Sequence, residues 1–373
     1  MLASKVLEIE KILSSKYIGR EEEARVLILA LCSKQNALLV GPPGTAKSAM
    51  IRDLAKIVDM KFFQYLLTRY TTYDELFGYI DAIRFKNGEY IRNIENKLPA
   101  AEIVFLDELF RASSEILNSL LMLINERLFV DINGAVSKTP TWSVFSATNE
   151  FSTDNDLQAL TDRFLIKHQV KSIKSDLLET AIVKNIENNN NNLEKVLTRS
   201  DLETLYINIS KYMLENKNAI SKAVVQITTL LRQNDIFLSD RTITSSEHFP
   251  RLVATYSYLY SVDPKRASVN VAKYLSIIEP ETYQKIIEQL YPKELSIAYE
   301  NVEKARALIK SGNLREAKNT LLETIQLAQS LLSKPEKLQL FKEDVVNILR
   351  DAENLIENIT KIEAKLSEIA RGD

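Results

Sequence analysis

The sequence predicts an α/β protein: a core built on a parallel sheet, then an all-α domain, then a helical segment of coiled-coil type. Three observations carry this. Five short apolar runs alternate with helix-period stretches before residue 174, the pattern of parallel strands covered on both faces. From 175 onward apolar residues recur at helical spacing almost throughout. Near the end, Phe341, Val345, Ile348, Ala352, Leu355, Ile359, Ile362, Leu366 and Ile369 alternate spacings of four and three, a sustained heptad seam.

In chain order, Leu2, Val6, Ile9 and Leu13, then Val26, Leu29 and Ala30, predict two helices on either side of Tyr17-Ile18-Gly19. A buried strand over 37–40 runs into glycine and proline, and 48–58 has the helical period. Further strands are expected at 61–66, 103–106, 141–145 and 164–170. Asn87-Gly88 and Asn133-Gly134, flanked by extended-looking residues, read as two tight hairpins inserted into the core. A helix over 175–186 leads to an asparagine tract, 188–192, expected as a solvated loop; Ser200-Asp201-Leu202-Glu203 then reads as a capping box. The expected domains are 1–174 (α/β core), 175–263 (helical lid) and 264–373 (helical C-terminal region). In the last, a stripe of Leu314, Ala317, Leu321, Ala328 and Leu331 precedes Ser333-Lys334-Pro335 and the heptad seam, predicting an antiparallel helical pair.

Composition narrows the function. Lys and Arg number 48 against 50 Asp and Glu, so the net charge of -2 supplies no global pull toward nucleic acid or anionic lipid. The single cysteine, Cys32, forms no intrachain disulfide, and with His168 and His248 as the only histidines there is no Cys/His zinc cluster. A reducing, cytoplasmic setting is expected. No apolar run approaches the roughly 18 residues of a membrane span, and no secretory leader is expected at a start carrying Lys5, Glu8, Glu10 and Lys11.

Gly41-Pro42-Pro43-Gly44-Thr45-Ala46-Lys47-Ser48 lies between a strand and a helix, where backbone amides and a helix N-terminus jointly hold phosphate oxygens. Lys47 would reach the β and γ phosphates and the Ser48 hydroxyl would ligate Mg²⁺. The strict P-loop pattern has glycine where Ala46 stands; alanine is tolerated if that residue already has helical φ/ψ. Sixty positions after Lys47, an apolar strand ends in Asp107-Glu108. Asp107 would complete the Mg²⁺ shell, through water, and Glu108 would polarise the attacking water. Guanine recognition requires an Asn-Lys-x-Asp run, which Asn96-Lys97-Leu98-Pro99 does not provide, so ATP is the expected nucleotide.

These residues resemble the AAA+ ATPases, and within them the MoxR group, close to its RavA branch. The similarity covers roughly 17–259. It includes Ile18-Gly19-Arg20-Glu21, the P-loop with its alanine, Leu66-Leu67-Thr68-Arg69, Glu75-Leu76-Phe77-Gly78, the 98–108 block, Ile124-Asn125-Glu126-Arg127, Ala147-Thr148-Asn149-Glu150 and Leu160-Thr161-Asp162-Arg163-Phe164. The resemblance implies a homo-oligomeric ring, usually of six subunits, with ATP between neighbours. It implies nucleotide contacts at Tyr17, Ile18 and Gly41 through Ala49, a first sensor at Asn149, and an arginine finger at Arg163, with Arg127 and Arg111 as substitutes. Ser239-Asp240-Arg241 resembles the second-sensor motif, acting within its own subunit or across the interface. The two Asn-Gly insertions fall where this clade faces its pore or substrate.

The expected function is therefore an ATPase that remodels or assembles a protein partner, in a family that often works with von Willebrand factor A domain proteins. Two alternatives stand beside it. One is a nucleic-acid motor of the same clade, with Arg84, Lys86 and Arg92 around the first insertion. The other is a nucleotide-gated scaffold whose coiled arm docks partners. The tail from 292 onward lies outside the resemblance; Gly312-Asn313-Leu314-Arg315-Glu316-Ala317 resembles one tetratricopeptide turn, and one unit makes no array.

Overall fold

Five strands pair in parallel in the order β2, β3, β6, β1, β7: β1 (Ala37–Val40), β2 (Phe62–Leu66), β3 (Ile103–Asp107), β6 (Ser143–Thr148) and β7 (Ile166–Gln169). The computed structural model describes residues 2–131, 133–149, 160–187, 193–288, 293–310, 312–333 and 342–371. Glu150, the tract at 188–192, the Lys334-Pro335 turn and Phe341 lie outside the described residues. So do the side chains of Leu366 and Ile369. All five expected strands are present. β1 and β6 are wholly buried, and β3 nearly so, which is why they read as continuous apolar runs. Parallel pairing puts the carboxyl ends of β1, β3 and β6 along one edge of the sheet, where open α/β folds bind ligands.

Helices α1 (Leu2–Lys16) and α2 (Glu21–Ser33) pack together, and 26–32 is buried all round because α2 touches α1, β7 and the helices α8 (Arg199–Glu215) and α11 (Phe249–Tyr260). α3 (Lys47–Ile57) follows the P-loop, and α6 (Ser114–Glu126) begins at the Ser113 cap, whose hydroxyl accepts from the Ile116 amide. Further α-helices among the described residues of the first compact unit, Met1–Ile278, include α4 (Tyr73–Phe77), α5 (Ala82–Lys86), α7 (Leu178–Glu187), α9 (Lys217–Gln233), α10 (Asp240–Thr244) and α12 (Pro264–Ala272). The expected division at 263/264 precedes α12, which packs on α9 and α11 within this unit; the division by contacts falls at 278.

Of three local readings, one holds and two are corrected. Asn133-Gly134 does turn a hairpin, β4 (Leu128–Val130) with β5 (Val136–Lys138). Asn87-Gly88 does not. The Asp81 carboxylate caps the Ile83 and Arg84 amides and starts α5, and Asn87 with Gly88 at φ +83° ends that helix. The capping box opening α8 lies two residues earlier, with Thr198 and Asp201 as its reciprocal pair.

The second unit, Glu279–Asp373, holds α13 (Pro280–Glu288), α14 (Lys293–Lys310), α15 (Leu314–Leu332) and α16 (Lys342–Arg371). The expected helical pair is a three-helix bundle. Leu295, Ala298 and Val302 of α14 cluster with Ala328, Leu331, Val345 and Ile348, and Ala305 clusters with Ala317, Leu321, Ala352 and Ile359. Successive helices are thus antiparallel, and α14 covers the seam that two helices alone would leave wet.

Candidate functional site

The P-loop face forms first from backbone. Gly41 donates its amide to the Thr148 carbonyl, and a Cβ there would lie 2.2 Å from the Val170 oxygen, so only glycine lets β1 pass between its neighbours. Gly44 has φ +78° and Ala46 has φ +65°, ψ +10°. The sequence expectation for Ala46 is therefore corrected: it is left-handed, not helical. The loop must reverse there to turn its amides inward, and alanine bears the strain that the usual glycine avoids, about 1–2 kcal/mol.

The side chains follow. Pro43 through Ala49, with Arg52, Asp107, Glu108 and Asn149, line a cavity of about 420 Å³. The Lys47 ammonium donates to the Gly41 and Pro42 carbonyls at 2.6 and 2.8 Å, and burial holds its pKa below the ordinary lysine value. Ser48, in the first turn of α3, donates its hydroxyl to Asp107 Oδ2 at 3.2 Å. Glu108 takes φ +55°, a second strained non-glycine position, which aims its carboxylate at the Asn149 amide 2.5 Å away; Arg111 lies 3.3 Å from the other oxygen. Sequence reasoning did not single out Arg52, which lines the cavity while donating to Gln64.

Gly41, Pro42, Tyr17 and Ile18 are not in the cavity lining. Tyr17 donates to Asp53 of α3 at 2.6 Å, and burial together with that carboxylate raises its pKa. Ile173 and Leu177 pack over Gly19, while Arg20 donates to the Lys171 carbonyl at 2.6 Å. The 17–20 segment is thereby fixed between α3 and 171–177.

Arg163 and Arg241 are not at this cavity. They line another, of about 200 Å³, with Lys34, Arg127 and His248. Burial, followed by Arg127 and Arg199, holds Lys34 below its ordinary pKa, and burial together with Arg241 does the same for His248. The one carboxylate in that lining, Glu247, is engaged by Tyr206 and Arg251. Arg127 is spent on structure. Its guanidinium donates to the Ile124 carbonyl and to Asn36, and burial pulls its pKa down to about 10.

Asn36 went unnoticed in the sequence. It is buried, donates to the Ile124 and Arg163 carbonyls at 3.0 and 3.1 Å, and accepts from Arg127 at 2.7 Å and the Val144 amide at 3.1 Å. One amide thus fixes the backbone beneath Arg163. Arg92, a candidate nucleic-acid contact by sequence, is buried against Asp131 at 2.6 Å and against Asp74, joining the two insertions.

A sequence profile described as the MoxR domain in the MoxR-vWA-beta-propeller ternary systems matches residues 4–207. Two uncharacterized proteins of Methanocaldococcus jannaschii are similar. One is 34% identical over 256 residues, 68% of this chain and 65% of the relative. The other is 31% identical over 294 residues, 76% of this chain and 74% of the relative. The chain thus spans just under two thirds of the first relative's length. A crystal structure named as a "putative ATPase" from Cytophaga hutchinsonii superposes with a TM-score of 0.61 at 17% identity, covering 77% of this chain and 94% of that one; it shares the fold. No helix among the described residues is long and apolar enough to cross a membrane.

Proposed function

The chain belongs to the MoxR family of AAA+ ATPases, and from that premise we propose that it hydrolyses Mg-ATP between neighbouring copies of a ring, most simply a hexamer. One observation carries the reading: the catalytic groups divide between two cavities. Lys47, Ser48, Asp107, Glu108 and Asn149 gather at one, Arg163 and Arg241 at the other. That second cavity gathers Lys34, Arg127, Arg163 and Arg241 against Glu247, already engaged, and Asp162, 3.5 Å from Arg163, and an excess of cations suits a neighbour's phosphate.

The Ser48 hydroxyl and the Asp107 carboxylate are hard oxygen donors 3.2 Å apart, which suits Mg²⁺ held partly by the substrate's phosphates. Mg²⁺ held there would supply neutralisation of the charge that develops on the phosphate. The chain does the rest. Inward-turned amides and Lys47 bind the phosphates. Glu108 accepts the proton of the attacking water, and Asn149 holds that carboxylate in place. Arg163, with Arg241 in trans, stabilises the transferring group from the adjoining copy. Such a finger is worth about 10³–10⁵ in turnover.

In this reading hydrolysis remodels a protein client, which the family description points to among von Willebrand factor A domain proteins. Exposed Tyr79, Ile83, Phe85 and Tyr90 on the first insertion suit contact with that client. A position near the RavA branch and a cytoplasmic setting belong to the same proposal. Lys47→Ala and Arg163→Ala should each be inactive alone, yet their mixture should regain turnover at junctions pairing an intact P-loop with an intact finger. Dilute single chains that turn over ATP as fast as concentrated ones would refute it.

A further inference from the structure

We infer that a second copy of this chain fills an apolar groove between α8, α9 and α10, and that the ridge it inserts is α7; this rests on the interfacial reading above. On α7, Leu178, Ile182, Val183 and Ile186 fall at i, i+4, i+5 and i+8, one face of a helix. They are 43%, 58%, 48% and 69% exposed. That is an apolar stripe on a surface helix left exposed among the described residues.

The groove is its counterpart. It encloses about 640 Å³ and is walled by Met213, Leu214, Ile220, Val224, Val225 and Ile243, with Leu214 and Val225 themselves largely exposed. No α7 residue lines it, so the two surfaces do not satisfy each other within one chain. Charge selects the partner. Lys217 is the groove's only charged residue among the described lining, and Glu179 lies exposed beside the apolar stripe of α7. The helix also carries Lys184 in its last turn, but Lys184 is half-buried while Glu179 is exposed at its start, so an apolar stripe led by an acid is the chemistry that the groove accepts.

Position agrees with chemistry. The groove wall includes Ile243 of α10, the helix that carries Arg241. The ridge follows the 171–177 segment, which packs over Gly19 and joins β7 beside the P-loop strand. Seating Arg163 and Arg241 on a neighbour's phosphates therefore brings this groove toward that neighbour's α7. The contact is head-to-tail, using different patches on the two copies, and such contacts close into rings.

The test is sedimentation velocity of the full chain with Mg-ATP, circular dichroism confirming the fold of each variant. Ile182→Asp on the ridge and Val225→Asp in the groove alter exposed residues, and each should raise the concentration for half-assembly by about tenfold or more. Mixed together, these two variants share one intact junction, so they should form dimers and nothing larger. Glu179→Lys or Lys217→Glu alone should weaken assembly, and the double reversal in one chain should restore it. If the wild type assembles and the variants assemble as well as it does, this inference fails while the ring stands. Unchanged assembly of Val225→Asp with lost client binding would likewise overturn it, giving the groove to a client. A wild type that stays single at every concentration overturns the ring, and this contact with it.

Discussion

Replacing Asn36 with alanine tests the coupling between core packing and chemistry most directly. The side chain makes four hydrogen bonds in a site that is 6% exposed. Its loss leaves the Val144 amide, the Arg163 carbonyl and one Arg127 N–H without their partner, while the Ile124 carbonyl keeps its bond from Arg127 at 2.8 Å. At about 1 kcal/mol for each neutral group and more for the guanidinium, imperfectly additive, the cost is about 3 kcal/mol, readable in urea unfolding. Turnover should fall further than stability alone explains. A finger displaced by about 1 Å costs on the order of 10², short of the 10³–10⁵ for losing it. ATP affinity should hold, because Asn36 lines no part of the P-loop cavity. Asn36→Asp separates the roles: it keeps the acceptor for Arg127 and Val144 but sets an oxygen against the Arg163 carbonyl, so turnover should drop with fold largely kept. Turnover within twofold of wild type, or nucleotide affinity falling in parallel, would refute the reasoning.

Other expectations concern strain, burial and charge. Ala46→Gly relieves about 1–2 kcal/mol of left-handed strain against roughly 0.4–1 kcal/mol of added unfolded-state entropy, so the urea midpoint should stay or rise; a clear fall would contradict the strain. Arg92→Ala removes the guanidinium that ties buried Asp131 to Asp74 and should destabilise by up to about 3–5 kcal/mol, seen as early loss of protease resistance around both insertions. Burial pushes the Lys167 ammonium down to about 8, whereas unfolded lysine titrates near 10.4. Below pH 8 the native state carries the full cost. Between the two values the unfolded chain binds more protons, so stability rises with pH. Lys167→Met should abolish that slope and add up to about 3 kcal/mol at pH 7, as measured by denaturation at pH 7 and 9.5.

Local pattern reached far into this fold because parallel core strands are apolar on both faces and P-loop chemistry is contiguous. Gly41 to Ser48 and Ile103 to Glu108 were readable for that reason. Where competing local signals existed, context chose. Asn87-Gly88 suits either a hairpin or a helix end, and the Asp81 cap decided between them. Thr198 and Ser200 both suit a helix start, and the pairing of Thr198 with Asp201 won. The heptad seam announced a partner helix without saying that α14 would share it.

The chain order of residues therefore determined the strands, the phosphate loop, the acid pair and the family, since each is written in side chains adjacent in sequence or regularly spaced. Only the tertiary structure decided that Ala46 and Glu108 are left-handed, that Asn36 secures the ground under Arg163, and that Arg163 and Arg241 line a cavity other than that of their own P-loop. Those outcomes depend on which distant surfaces meet. The hydrogen-bond partners of Asn36 at Arg127, Val144 and Arg163 come from 91 to 127 positions away, a range over which no local periodicity reports.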